Sequence, residues 1–152
     1  MTFARIRLAV AALAFVGWLG WLALAVRQKD APDKVSRAQL TAADTILVAE
    51  VAAGSDGLPL PKVVVVRSIS GTGPKVGEEI TVANLPSAVV PGKGFLGAGQ
   101  YLLPLTGETG VYRVAGLPRS PGYEEQANPT LPRIYPWTPE VQAQLKNLKY
   151  EW

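Results

Sequence analysis

The chain has no cysteine and no histidine in 152 residues. Those two absences remove most of the chemistry that short sequences announce. Zinc sites on nitrogen or sulfur ligands, Ser-His-Asp and Cys-His nucleophiles and histidine acid–base catalysis are excluded. Haem held by histidine or cysteine and cysteine-ligated iron–sulfur clusters go with them. No disulfide framework staples the fold, and no cysteine can carry a lipid anchor. Charge is sparse too, at 18% of residues, and the net +3 is unevenly placed. Residues 1–37 hold six Lys/Arg against two Asp, whereas residues 38–152 hold nine against ten Asp/Glu. The bulk of the chain is nearly neutral and lacks the basic stripe that phosphate binding requires, so nucleic acid is not an expected partner.

What is present is a nineteen-residue run without charge, LAVAALAFVGWLGWLALAV from Leu8 to Val26, with Arg5 and Arg7 before it and Arg27 and Lys29 after. As a helix it covers about 28 Å, close to the roughly 30 Å core of a bilayer. Nine strongly apolar residues contribute roughly −3 to −5 kcal/mol of insertion free energy in sum. The spacing predicts a single-pass membrane anchor over residues 1–27, with Leu8, Phe15, Trp18, Trp21 and Val26 among its membrane-facing side chains. The alternative is a signal peptide cleaved after Ala23-Leu24-Ala25, leaving a secreted domain. The run exceeds the usual 7–15 residue apolar core of a signal peptide, which favours the anchor. A short basic N-terminus favours an extracytoplasmic C-terminal domain, although Arg27, Lys29, Lys34 and Arg37 outnumber Arg5 and Arg7. The same cations suggest a lipid-attracting collar, but Asp30 and Asp33 dilute it and a topogenic role is the simpler reading.

Residues 28–43 read as a linker, because Gln28–Arg37 is polar and contains Pro32. A domain over residues 44–118 follows, with β-branched apolar runs punctuated by Gly and Pro: Thr45–Ala52, Lys62–Ile69, Glu79–Leu85, Gln100–Leu105 and Val111–Gly116. Pro104 is expected at a strand edge or a bulge. Five short strands with a long loop cannot cover both faces of an open sheet, so the expected class is mainly β, a small closed barrel, with a β-sandwich as runner-up.

VAEV ending the first run, the VVVVRSISGTGPKVGEEITV hairpin, and GQYLLPL answered by GVYRVAG resemble the OB-fold barrel of netrin-like and metalloproteinase-inhibitor domains over residues 44–118. The resemblance implies a five-stranded OB-like barrel. Those families carry cysteines, including the one that inhibitors place on a target's zinc; this chain has none, and no functional residue is carried over.

Residues 119–152 form a Pro-rich extension and a helix. Pro118, Pro121, Pro129, Pro132, Pro136 and Pro139 predict an extended wrap, with Leu131, Ile134, Tyr135 and Trp137 packing on the barrel. Thr138 as cap, Pro139 at the first helical position and Glu140 in the first turn predict a helix, with Val141, Leu145 and Leu148 as its apolar stripe. Tyr150 and Trp152 read as an exposed tail.

Gly92-Lys93-Gly94-Phe95-Leu96-Gly97 matches G-x-G-x-x-G, but the dinucleotide site needs a strand before and a helix after, and here Pro91 precedes and a strand follows. The better reading of Gly92, Lys93, Gly94, Phe95, Leu96, Gly97 and Gly99 is a flexible interstrand loop with Phe95 and Leu96 exposed at its tip, the candidate partner-binding element. Glu78-Glu79 and Glu124-Glu125 are sequence neighbours and read as solvated surface, and neither pair shows a calcium-loop pattern. Glu50, inside a strand, is the carboxylate expected to find an ion-pair partner in Arg67 or Arg113. No catalytic, cofactor or metal residue is assigned. The expected function is a membrane-anchored, non-enzymatic binding or assembly module that meets another envelope or membrane protein. The alternative is an enzyme regulator of protease-inhibitor type, or a histidine-free enzyme.

Overall fold

Apolar side chains alternating along the strands and a continuous apolar run at the N-terminus build two separate units, Met1–Pro32 and Asp33–Trp152. The structure, a computed structural model, describes residues 2–27, 34–107, 110–117 and 131–150, with side chains of the first helix described at 7 and 10–23.

In the first unit, the Ala/Leu-rich run forms helix α1, Thr2–Arg27. Phe15 and Trp18, three residues apart on one face, bring their rings to 6.4 Å. Leu13, Phe15, Val16, Trp18 and Trp21 are exposed. Helix formation is as expected, but among the described residues no helix is long and apolar enough to cross a membrane. The side chains of Leu8 and Val26, named as ends of the anchor, lie outside the described set.

In the second unit, β1 (Thr45–Ala53) pairs antiparallel with β2 (Pro59–Ser70) on one side and β4 (Gly99–Thr106) on the other. β2 pairs with β3 (Glu79–Val82), β3 runs parallel to β5 (Val111–Val114), and β5 returns antiparallel to β4. The cycle β1-β2-β3-β5-β4-β1 closes. The result is a five-stranded barrel of OB-like type rather than a sandwich, because each of the five strands has a neighbour on both sides. A sixth strand, β6 (Tyr135–Pro136), lies outside the circle on β4, opposing Tyr101 and Leu102.

The period-two alternation sends Leu47, Ala49 and Val51 of β1 into the barrel with Val63, Val65, Ile80, Leu103, Leu105 and Tyr112. The opposite face of β1 is also buried. Ile46 and Val48 join Ile69 and Leu102 in a second cluster roofed by Leu40, Tyr135, Val141 and Leu145. Both clusters draw their residues from Val35 onward, so the barrel domain carries its own core. Pro104 is not at an edge: it sits in β4 opposite Ile46 and is buried. Its carbonyl accepts from Ala115 N–H at 2.8 Å, so its imino nitrogen faces the same side. There β4 changes partner from β6 at Leu102 to β5 at Leu105, and no ladder donor is needed.

The stretch read as linker ends in a helix, α2 (Arg37–Ala42), capped by Ser36 Oγ accepting from Gln39 N–H at 3.3 Å. Gln39 is fully buried. Its Nε2 donates to Ala115 O (2.8 Å) and Arg133 O (2.9 Å), and its Oε1 accepts from Tyr135 Oη (2.8 Å). One side chain thus joins α2, the end of β5 and the C-terminal wrap. Most of the Pro-rich stretch, residues 118–130, lies outside the described residues, as do Glu124 and Glu125. Of the expected plugs, Ile134 enters the barrel core, Tyr135 enters the outer cluster and Trp137 packs against it. Leu131 instead is 53% exposed, one residue before the point where Pro132 O accepts from Val89 N–H and Ile134 N–H returns to Val89 O.

Helix α3 (Pro139–Asn147) starts as expected, with Thr138 Oγ1 accepting from Val141 N–H at 3.4 Å. The Thr138 hydroxyl, and then the backbone N–H of Glu140 itself, hold the Glu140 carboxyl below its ordinary range. Val141 and Leu145 are buried and Leu148 packs beside them. Tyr150 is not an exposed tail: it packs on the same cluster. Trp152 lies outside the described residues.

Candidate functional site

The β3–β4 connection begins with Asn84, whose side chain replaces a strand partner. Its Oδ1 accepts from Val114 N–H (2.7 Å) and its Nδ2 donates to Val114 O (3.1 Å). A 3-10 turn, Leu85–Ser87, then drops Leu85 into the barrel. Val90-Pro91-Gly92-Lys93 is a tight turn closed by Lys93 N–H to Val90 O at 3.0 Å. Proline at its second position and Gly92 at φ 75° at its third suit a type II turn, which needs positive φ there. Val90 N–H then donates to Gly94 O at 2.9 Å. The chain runs on into β4 rather than into a helix, so the helix that a dinucleotide site needs after the G-x-G-x-x-G stretch is replaced by a strand.

The loop is tied down at both sides of Leu96. Phe95, expected at an exposed tip, instead packs on the barrel core, its ring 5.5 Å from that of Tyr101. Gly97 O accepts from Tyr101 Oη at 2.8 Å. Burial pushes the Tyr101 hydroxyl above its ordinary pKa and so favours the neutral donor form, against the smaller opposing effect of a backbone hydrogen bond at Leu96. Between these two anchors Leu96 is 52% exposed. Gly92, Lys93 and Gly94 are exposed, while Gly97 and Gly99 are half-buried. The register Val51↔Gly99 and Ala53↔Pro59 puts the loop's exit at the barrel end that holds the β1–β2 turn. That turn is itself fixed, by Gly54 N–H to Leu58 O (2.7 Å) and Leu58 N–H to Asp56 Oδ1 (3.1 Å), and it presents exposed Leu58 and Leu60.

The carboxylates do not converge. Glu78 Oε2 accepts from Lys75 N–H (2.8 Å) and shapes the β2–β3 turn. Glu79 pairs with Lys62 at 3.1 Å, with both side chains more than half exposed, a pair worth about 0–1 kcal/mol. Glu50, expected to pair with Arg67 or Arg113, is exposed on β1 opposite Val64 and Gln100, and makes no salt bridge among the described residues. Among the described residues no group of three His, Cys, Asp or Glu could hold a metal ion. What the arrangement offers is shape: a pre-set apolar point on a backbone held by its own hydrogen bonds. Sequence reasoning missed the anchoring of Phe95, whose only signal was an aromatic among glycines six residues before Tyr101. Comparison with protein-family models, curated proteins and solved structures finds no match to this chain.

Proposed function

We propose that this protein is a membrane-anchored, non-enzymatic binding module whose barrel presents the Gly92–Gly99 loop to another membrane or envelope protein. The observation that carries the reading is Leu96, exposed between two anchored neighbours, Phe95 and Gly97. A backbone held in place before contact loses less entropy on binding, which is how a small apolar point contributes affinity. The anchor rests on the uncharged run from Leu8 to Val26 and on the helix over Thr2–Arg27, with a basic residue at each flank. The short basic N-terminus favours export of the barrel domain. The OB-like strand order supports a likeness to netrin-like and inhibitor barrels, which act by binding; inhibition through a zinc-ligating cysteine is closed to a chain without cysteine.

The test uses the full chain in cells. Fractionation with a C-terminal reporter reads membrane residence and side, and the mass of the mature chain reads cleavage. Cross-linking followed by Leu96→Ser reads the loop. The reading predicts an uncleaved membrane protein with an exported reporter and a cross-linked product that the substitution weakens without lowering the melting temperature. A product of equal yield with serine at position 96 refutes the loop's role.

A further inference from the structure

Strand β4 runs for eight residues but meets β5 at its last two, Leu105 and Thr106. A bond from Ala115 N–H to Pro104 O ends that contact. Since β1 covers the opposite edge of β4, residues 99–103 keep one edge that the five barrel strands do not fill. Residues 132–137 take it. Tyr135 and Pro136 oppose Leu102 and Tyr101, and Trp137 N–H donates to Gln100 O at 2.9 Å. On its other side the same segment bonds the β3–β4 connection, where Val89 N–H donates to Pro132 O at 2.9 Å and Ile134 N–H donates to Val89 O at 3.1 Å. Successive side chains of an extended segment point to opposite faces. Ile134 accordingly enters the barrel core and Tyr135 the outer cluster, and both are fully buried. Just beyond, Thr138 caps α3, which lays Val141 and Leu145 on the outer cluster.

We infer that the edge of β4 at residues 99–103, with Val89 facing it, is a peptide-binding slot that the chain fills in cis with its own residues 132–137 and that accepts the same segment of a second copy in trans. Main-chain hydrogen bonds hold an added strand, and pockets for alternate side chains select it. One pocket, in the barrel core, takes the aliphatic Ile134. The other takes an aromatic ring that carries a hydroxyl, because Tyr135 Oη accepts from Ser36 N–H (3.1 Å) and donates to Gln39 Oε1 (2.8 Å). A second copy carries the identical segment and so the side chains that match both pockets. Within one chain, the covalent connection through residues 118–130 keeps the local concentration of the segment high, so the cis arrangement dominates while that connection is intact. Cutting it leaves each of these contacts in place and makes the segment exchangeable between molecules. The slot depends on neither Leu96 nor α1.

The test uses residues 34–152, which contain the whole of both apolar clusters, with a site for a sequence-specific protease inserted within residues 118–130. After cleavage a fluorescent peptide of residues 131–150 is added in excess, in urea below the unfolding midpoint of the nicked domain, and followed to equilibrium by anisotropy and mass. The expected result is a nicked domain that keeps its circular dichroism spectrum and takes up the peptide as its own C-terminal piece is released. Ile134→Ser or Tyr135→Ser in the peptide should weaken uptake about tenfold or more, since each removes a large buried side chain. Leu131→Ser, at an exposed position, should leave uptake unchanged. A domain that unfolds on cleavage, no uptake at equilibrium, or uptake that Ile134→Ser weakens no more than Leu131→Ser overturns the slot. Membrane fractionation and the Leu96→Ser cross-link are read on other parts of the chain, so those outcomes leave the proposed function standing.

Discussion

Replacing Gln39 with alanine removes three hydrogen bonds at once and leaves their partners, Tyr135 Oη, Ala115 O and Arg133 O, inside the domain. Each bond contributes about 0.5–1.5 kcal/mol net, and each group left buried without a partner costs about 1–3 kcal/mol. Tyr135 Oη keeps one contact, from Ser36 N–H, and relaxation lets water reach some of the rest. The expected loss is about 3–4 kcal/mol, a large share of the roughly 5–15 kcal/mol that holds a domain of this size. At roughly 4 °C per kcal/mol this lowers the melting temperature by about 12–16 °C. Thermal and urea unfolding of residues 34–152, followed by circular dichroism, measure it. Tyr135→Phe alone should cost about 1–2 kcal/mol, and the double variant should cost less than the sum by about 1 kcal/mol, since the two share a bond. A loss under about 0.5 kcal/mol for Gln39→Ala, or strict additivity with Tyr135→Phe, would refute the view that this side chain clasps the two ends of the domain.

Burial raises the hydroxyl pKa of both Tyr101 and Tyr135, with backbone hydrogen bonds opposing it in each and Arg133 also opposing it at Tyr135. A group whose pKa is higher folded than unfolded contributes stability that is complete below the ordinary tyrosine value of 10.0 and is lost as pH rises through the raised one. Urea midpoints should therefore fall above about pH 10, and the fall should be shallower in Tyr135→Phe. Lys149→Gly relieves a left-handed lysine and should stabilise the domain by about 1 kcal/mol, read as a rise in the denaturation midpoint. Ala115 O and Arg133 O bond to the same nitrogen, so the chain leaves and returns at one point. Replacing residues 118–130 with a short Gly/Ser linker should then change stability by less than about 1 kcal/mol, and a collapse of the fold would show that the segment carries packing.

The barrel was legible because its strands obey period two and carry β-branched residues between glycine turns. Within β1, residues 46–49 also hid a second fact in plain view: this unbroken apolar run reflects burial on both faces, Ile46 and Val48 under α2 and α3 and Leu47 and Ala49 inside. Helix α2 was invisible because RAQLTA is too short for a periodic signal; its one trace was Ser36 three residues before Gln39, the spacing of a capping box, of which the Ser36 bond forms while the Gln39 side chain turns to other partners. A buried glutamine has no sequence signature at all, since its partners, two carbonyls and a tyrosine hydroxyl, belong to residues far along the chain. β6 escaped notice because two residues beside prolines cannot show alternation. At the candidate site, the turn at Pro91-Gly92 was readable from composition. The inward turn of Phe95 was not, because it depends on Tyr101 lining the barrel mouth.

The proposed function is that of a membrane-held barrel that engages a protein through Leu96. It is met most directly by a photo-reactive residue placed at position 96 of the full chain and activated in intact membranes. The expected result is one dominant adduct of defined mass in the membrane fraction, absent when the same group is placed at exposed Glu50. A chain recovered outside the membrane fraction, or equal adducts from both positions, would contradict it.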